Sequence, residues 1–170
     1  EYLKCYENQV LEDWYELIRH ISVSETGEGI ETCCDWIQKK MEEIGIQVTK
    51  YSVKPAPVLV GRFGNDPEKK TVLIYAHYDV KPAGERKLWH SDPFVPTVSD
   101  GKVYARGSAD NKSPLMAHLK ALEYFIRRKM EVPVNVIFVF EGDEECGSRG
   151  LEEFLAEHRT ELAADLVFFS

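Results

Sequence analysis

The sequence predicts an α/β fold: a three-layer sandwich whose central, mostly parallel (mixed) sheet is flanked by helices. Strand-like runs and helical periodicity alternate along the 170 residues. Two of the runs, Thr71 to Ala76 and Val134 to Phe140, are almost continuously apolar, as strands covered on both faces are. Polar clusters also follow these runs, His77-Tyr78-Asp79 after the first and Glu141-Gly142-Asp143-Glu144-Glu145 after the second. Sheets of this kind gather ligands at the C-terminal ends of their strands, so the clusters mark the edge where a site belongs.

Each element has its own signal. Val10, Leu11, Trp14, Leu17, Ile18 and Ile21 recur at helical spacing and predict a first amphipathic helix ending between Ser22 and Gly29. Ile30, Cys33, Cys34, Ile37, Met41 and Ile44 predict a second, with Gly45 placed to cap it. From Ile46 to Tyr51 the period shifts toward two, a half-buried strand, and Val58 to Phe63 is its neighbour across a proline-containing turn. Asn65-Asp66-Pro67 breaks the pattern before the strand that delivers His77. Asp100-Gly101 between Val95-Pro96-Thr97-Val98 and Lys102-Val103-Tyr104 predicts a hairpin. Ser113 and Pro114 supply an N-cap and a first-turn proline for a helix carrying Leu115, Met116, Leu119, Leu122, Phe125 and Ile126. A helix near Gly150 to His158 and a strand from Leu166 to Phe169 complete the alternation.

Composition narrows the function. A net charge of −8 argues against nucleic acid or an anionic membrane surface as the main partner, because either demands a concentrated basic face. No stretch approaches the roughly 20 apolar residues that span a bilayer, and the first five residues lack the order of a signal peptide, so a cytoplasmic protein is expected. Cys5, Cys33, Cys34 and Cys146 have neither C-x-x-C spacing nor a spaced framework, and are expected as reduced thiols. Phosphate-loop, dinucleotide, nucleophile-elbow and His-Glu-x-x-His motifs are absent from the sequence.

Three clusters remain as chemistry. In His77-x-Asp79 the imidazole can hold a metal while the carboxylate accepts its other N–H; a plain polar loop is the alternative. Asp110 is short enough to span two cations, and a turn or capping aspartate is the alternative. Glu144 and Glu145 repel each other unless a cation or shared proton relieves them, so one can ligate while the other takes a proton from water; a solvated acidic turn is the alternative.

Taken together, His77-Tyr78-Asp79-Val80, Trp89, Pro93-Phe94, Asp100-Gly101-Lys102-Val103-Tyr104-Ala105-Arg106-Gly107, Asp110-Asn111-Lys112 and Glu144-Glu145-Cys146-Gly147-Ser148 resemble, in order and spacing, one family. It is the co-catalytic zinc aminoacylase and metallopeptidase family that includes carnosine-type dipeptidases, acetylornithine deacetylases, succinyl-diaminopimelate desuccinylases and glutamate carboxypeptidases. The match runs from about Val58 onward and is most similar to the dipeptidase branch. The resemblance implies two Zn2+ ions, with Co2+ or Mn2+ as substitutes. His77 would bind one, Asp110 would bridge both and Glu145 would bind the other. Asp79 would orient His77, Glu144 would be the general base, and the Asp110–Asn111 peptide would be cis. Hydrolysis of dipeptides or short peptides is expected, with N-acyl amino acid deacylation, or a non-catalytic metal-binding or interaction module, as alternatives. Ser113-Pro114 departs from the family's usual glycine after Lys112. Residues 1–170 are expected to be the N-terminal portion of a truncated catalytic domain. A further acidic ligand just past Ser170, a distant histidine ligand, and a lid domain carrying substrate contacts and a homodimer interface would then lie outside it. The fragment alone is expected to be inactive.

Overall fold

The structure, a computed structural model, describes residues 2–170, the side chains of Tyr2, Leu3 and Cys5 excepted; the expectation for the Cys5 thiol lies outside the described residues. Two helices, α1 (Tyr2–Arg19) and α2 (Ile30–Glu43), lead into strands β1 (Gln47–Tyr51), β2 (Val58–Phe63) and β3 (Thr71–His77). A short hairpin, β4 (Thr97–Ser99) and β5 (Lys102–Tyr104), precedes α3 (Lys112–Arg127), β6 (Asn135–Glu141), α4 (Leu151–Glu157) and β7 (Leu166–Phe169). The main sheet has the order β1-β2-β6-β3-β7. β3 is parallel to both β6 and β7, whereas β2 is antiparallel to both β1 and β6, so β2 alone runs against the other four. The predicted mixed, mostly parallel sheet is therefore the observed one.

The apolar runs are explained by what covers the two faces. Phe138 and Phe140 of β6, both fully buried, pack with Leu59, Ala76 and the apolar stripes of α1, α2 and α3. The intervening Ile137 and Val139 face the opposite way, onto Val58, Val60, Leu73, Phe154 of α4 and Leu162. Alternate residues of one strand thus serve two cores, and each fully buried large apolar side chain contributes about 1.5–3 kcal/mol relative to exposure. The edge strand β7 has the least cover of the main strands: Leu166, Val167, Phe168 and Phe169 are all exposed, while β1 at the other edge is partly covered.

Local signals hold at several ends. α2 closes with Gly45 at φ 88°, its N–H on Glu42 O at 3.0 Å and the Ile46 N–H on Met41 O at 3.1 Å, the paired bonds of a Schellman cap. Asp100 and Gly101 both have positive φ, as the predicted two-residue hairpin turn requires. The start of α3 differs from expectation. The helix begins at Lys112, with Asn111 at the cap position, and Ser113 lies inside the first turn. Lys112 is fully buried and its Nζ donates to the carbonyls of Leu17 and His20 at the end of α1, which draws the first helical residue inward. Pro114 still falls in the first turn, where a missing N–H is tolerated.

Candidate active site

β3 and β6 end side by side, with His77 registered against Glu141. The chain beyond β3 stays extended because Tyr78 N donates to Glu141 O at 2.8 Å and Val80 N to Ser22 O at 2.8 Å. Tyr78 turns into the core, where its hydroxyl donates to Pro57 O at 2.7 Å. Strand alternation then brings His77 and Asp79 together. His77 Nδ1 lies 3.1 Å from the Asp79 carbonyl and 3.3 Å from its Oδ1. Both residues are buried.

The other imidazole nitrogen faces the acids. His77 Nε2 is 3.1 Å from Asp110 Oδ1 and 3.7 Å from Glu144 Oε2. Asp110 is carried by the turn between Gly107 and α3, and its peptide bond to Asn111 is cis, as the resemblance implied. Gly107 seats that turn: at φ 79°, a Cβ there would stand 2.6 Å from Val80 Cγ1, so only glycine lets the turn press against the segment after β3. The Glu144-Glu145 pair sits on a single 3-10 turn after β6.

Asp79 does more than face the histidine. Its Oδ1 and Oδ2 accept the backbone N–H groups of Glu144 and Glu145 at 3.2 and 3.0 Å. One buried carboxylate therefore ties the β3 exit to the β6 exit. Burial works against its charge, but the hydrogen bonds from His77, Ser24 and the Glu145 amide outweigh it and hold Asp79 below the usual carboxylate range. Burial likewise depresses His77, yet Asp79, Glu144 and Asp110 together raise it to about 8. Beside it, burial pushes the Glu141 carboxyl up, although the Tyr75 and Ser148 hydroxyls donate to its Oε1 at 2.5 and 2.7 Å.

Of the three predicted ligands, His77 and Asp110 are in contact, whereas the Glu145 carboxylate lies 3.7 Å from Lys81 Nζ, which also donates to the Glu145 carbonyl. Of the Glu144-Glu145 pair, it is Glu144 whose carboxylate approaches His77. Among the described residues, no three histidine, cysteine, aspartate or glutamate side chains group closely enough to enclose an ion. An imidazole whose Nδ1 is backed by a carboxylate and whose Nε2 faces oxygen donors nevertheless fits a borderline divalent cation. Sequence reasoning missed the grip of Asp79 on the two amides and the Lys81 contact, because neither leaves a periodic or spacing signal.

The chain is similar to known proteins in both sequence and fold. Residues 73–169 match the description Peptidase family M20/M25/M40. The Cys-Gly metallodipeptidase dug1 of Schizosaccharomyces pombe is 43% identical over 120 residues, covering 68% of this chain and 25% of that protein. The crystal structure of human carnosine dipeptidase 1 superposes with a TM-score of 0.94 at 29% identity, covering 99% of this chain and 39% of that one. The M20 family metallo-carboxypeptidase Sso-CP2 of Sulfolobus solfataricus gives 0.90 at 36% identity, covering 94% and 36%. The chain thus spans about a quarter of that curated dipeptidase. With more than half of its residues inside the family match and a near-superposable fold, the chain belongs to the peptidase family M20/M25/M40.

Proposed function

We propose that the protein carrying this chain hydrolyses the amide bond of dipeptides or short peptides, with zinc, or cobalt or manganese in its stead, at a two-cation site. The observation that carries the proposal is the setting of His77: Nδ1 backed by Asp79, Nε2 turned to Asp110 and Glu144. His77, Asp110 and Glu145 would hold the ions, with Asp110 shared between them. When bound, such ions supply Lewis acidity toward the scissile carbonyl and acidify water. Asp79 keeps the proton on Nδ1, leaving Nε2 free as a donor of its lone pair. Glu144, half-exposed beside His77, takes the proton from the attacking water and returns it to the leaving amine.

We further propose that residues 1–170 are the N-terminal portion of the catalytic domain of a homodimeric protein, with a lid domain and the remaining ligands supplied by other segments of the same polypeptide. By itself this portion would bind metal weakly, because three protein donors serve one catalytic zinc and would here be divided between two. Cys33 and Cys34 are free and buried, which suits a reducing compartment such as the cytoplasm. No helix among the described residues is long and apolar enough to cross a membrane.

The decisive experiment is Glu144→Gln in the complete polypeptide, assayed on a dipeptide panel alongside N-acetyl and N-succinyl amino acids. Loss of dipeptide turnover with metal content unchanged is expected. Exclusive deacylation by the unsubstituted protein would replace the substrate class, and turnover unaffected by Glu144→Gln would remove the assigned base. No turnover on any substrate by the metal-loaded protein would favour a non-catalytic module.

A further inference from the structure

The turn that carries Glu144 and Glu145 is closed by a pair of residues outside the predicted site. Asp143 accepts the Cys146 and Ser148 N–H groups on its carbonyl at 3.1 and 2.9 Å. Its carboxylate takes three more bonds, all from Arg149: the backbone N–H at 3.0 Å and Nε at 2.9 Å on Oδ2, and Nη2 at 2.6 Å on Oδ1. Left-handed φ at Gly147 and Ser148, 92° and 51°, brings the chain round so that residue 149 reaches back to residue 143. Asp143 is 4% exposed, while the Arg149 side chain is more than half exposed.

From this ring we propose that Asp143 and Arg149 are positioning residues that hold Glu144 at its working distance from His77; the inference rests on the proposed role of Glu144 as base. The ring spans only seven residues and contains a single 3-10 turn, which has little intrinsic rigidity. Asp79 grips the amides of Glu144 and Glu145 from one side, and Glu141 holds the Ser148 hydroxyl from another. The remaining freedom is rotation of the turn about those anchors, and the bidentate guanidinium fork removes it, because both of its bonds must stay coplanar with the carboxylate. A third buried carboxylate beside two others adds repulsion that a neutral cap would avoid. Arg149 offsets that charge while leaving Glu144 and Glu145 unpaired by it. Proton transfer is steep in distance, so loosening the ring lowers turnover before it alters substrate binding.

The test compares Arg149→Met, Arg149→Lys and Asp143→Asn with Glu144→Gln in the complete, metal-loaded protein, with folding checked by circular dichroism and thermal melting. Arg149→Met leaves the buried Asp143 carboxylate without its cation, whereas Arg149→Lys retains one, so the Lys variant keeps the comparison readable where the other two melt early. Arg149→Met is expected to lower kcat about 10- to 100-fold with KM within about two-fold, and Arg149→Lys, which keeps the charge without the fork, to fall between it and the parent. Full kcat in folded Arg149→Met, with Glu144→Gln inactive, overturns the clasp while sparing the proposed function. Full kcat in Glu144→Gln removes Glu144 as the base and overturns the clasp with it.

Discussion

Asp79 Oδ2 accepts the backbone N–H of Glu145 at 3.0 Å, so a side chain leaving β3 fixes the main chain leaving β6. The same carboxylate faces His77 Nδ1 and is fully buried. Asn at this position offers one acceptor where two amides donate, and turns an NH2 group toward another donor. Asp79→Asn should therefore destabilise the fold by about 3 kcal/mol, read from urea unfolding. A change below about 0.5 kcal/mol would show that the two exits are held by something else.

Lys81 competes for Glu145. Its ammonium is half-exposed and pairs with the Glu145 carboxylate at 3.7 Å, so Lys81→Met should free that carboxylate for a cation. Pairs this exposed are worth about 1 kcal/mol or less, which sets the expected gain in zinc or cobalt affinity at no more than about five-fold by titration calorimetry. Weaker binding in the variant would mean that Lys81 supports the site instead.

Gly142 sits under the Tyr78 ring. A Cβ there would lie 2.5 Å from Tyr78 Oη and Cζ, and the ring cannot withdraw because its hydroxyl is held by Pro57 O at 2.7 Å. Gly142→Ala should cost about 1–3 kcal/mol by overpacking and displace the Glu144 turn. Thermal melting measures the first effect. Partial recovery of stability by Tyr78→Phe in the Gly142→Ala background, which releases the ring from Pro57 O so that it can shift away, measures its origin.

Acid should weaken the contact between α1 and α3 through Asp13. Burial raises its carboxyl, but the hydrogen bonds and charges of Lys120 and Lys40 prevail and hold it below its ordinary 3.8. A depressed carboxylate stabilises the fold above its unfolded value and loses that contribution as pH falls through the folded one. Asp13→Asn should then be less stable than the parent by about 2 kcal/mol at neutral pH, the difference shrinking below pH 3.8. A gap in unfolding free energy that stays constant from pH 6 to pH 2 would contradict this.

The outer edge of β7 is open. Phe169 is 72% exposed and Leu166 63%, and an unpaired apolar strand is a template for pairing with another chain. The 170-residue chain should self-associate with rising concentration in sedimentation velocity, and Phe169→Lys should suppress it. Equal association of the two would move the contact elsewhere.

Periodicity carries far because it reflects burial directly. The doubly covered strands, the hairpin at Asp100-Gly101 and the cap at Gly45 each depend on residues adjacent in sequence, and each is legible there. So is the approach of His77 to Asp79, since strand alternation puts residues two apart on one side. The start of α3 was not legible. Lys112 looks like a solvent-facing helix residue until the carbonyls of Leu17 and His20, about 90 positions earlier, are brought over it.

By itself, then, the sequence determined the fold class, the polar clusters at the strand ends, and the family whose motifs contain His77, Asp79, Asp110, Glu144 and Glu145, since local pattern and motif spacing survive without coordinates. Tertiary structure alone decided which of Glu144 and Glu145 stands beside His77, that Lys81 meets Glu145, and that Asp79 and the Asp143–Arg149 pair brace the turn between them. Those contacts join segments through side-chain direction and distances of a few ångströms. Hydrogen bonds and ion pairs depend on that geometry, and hydropathy does not encode it.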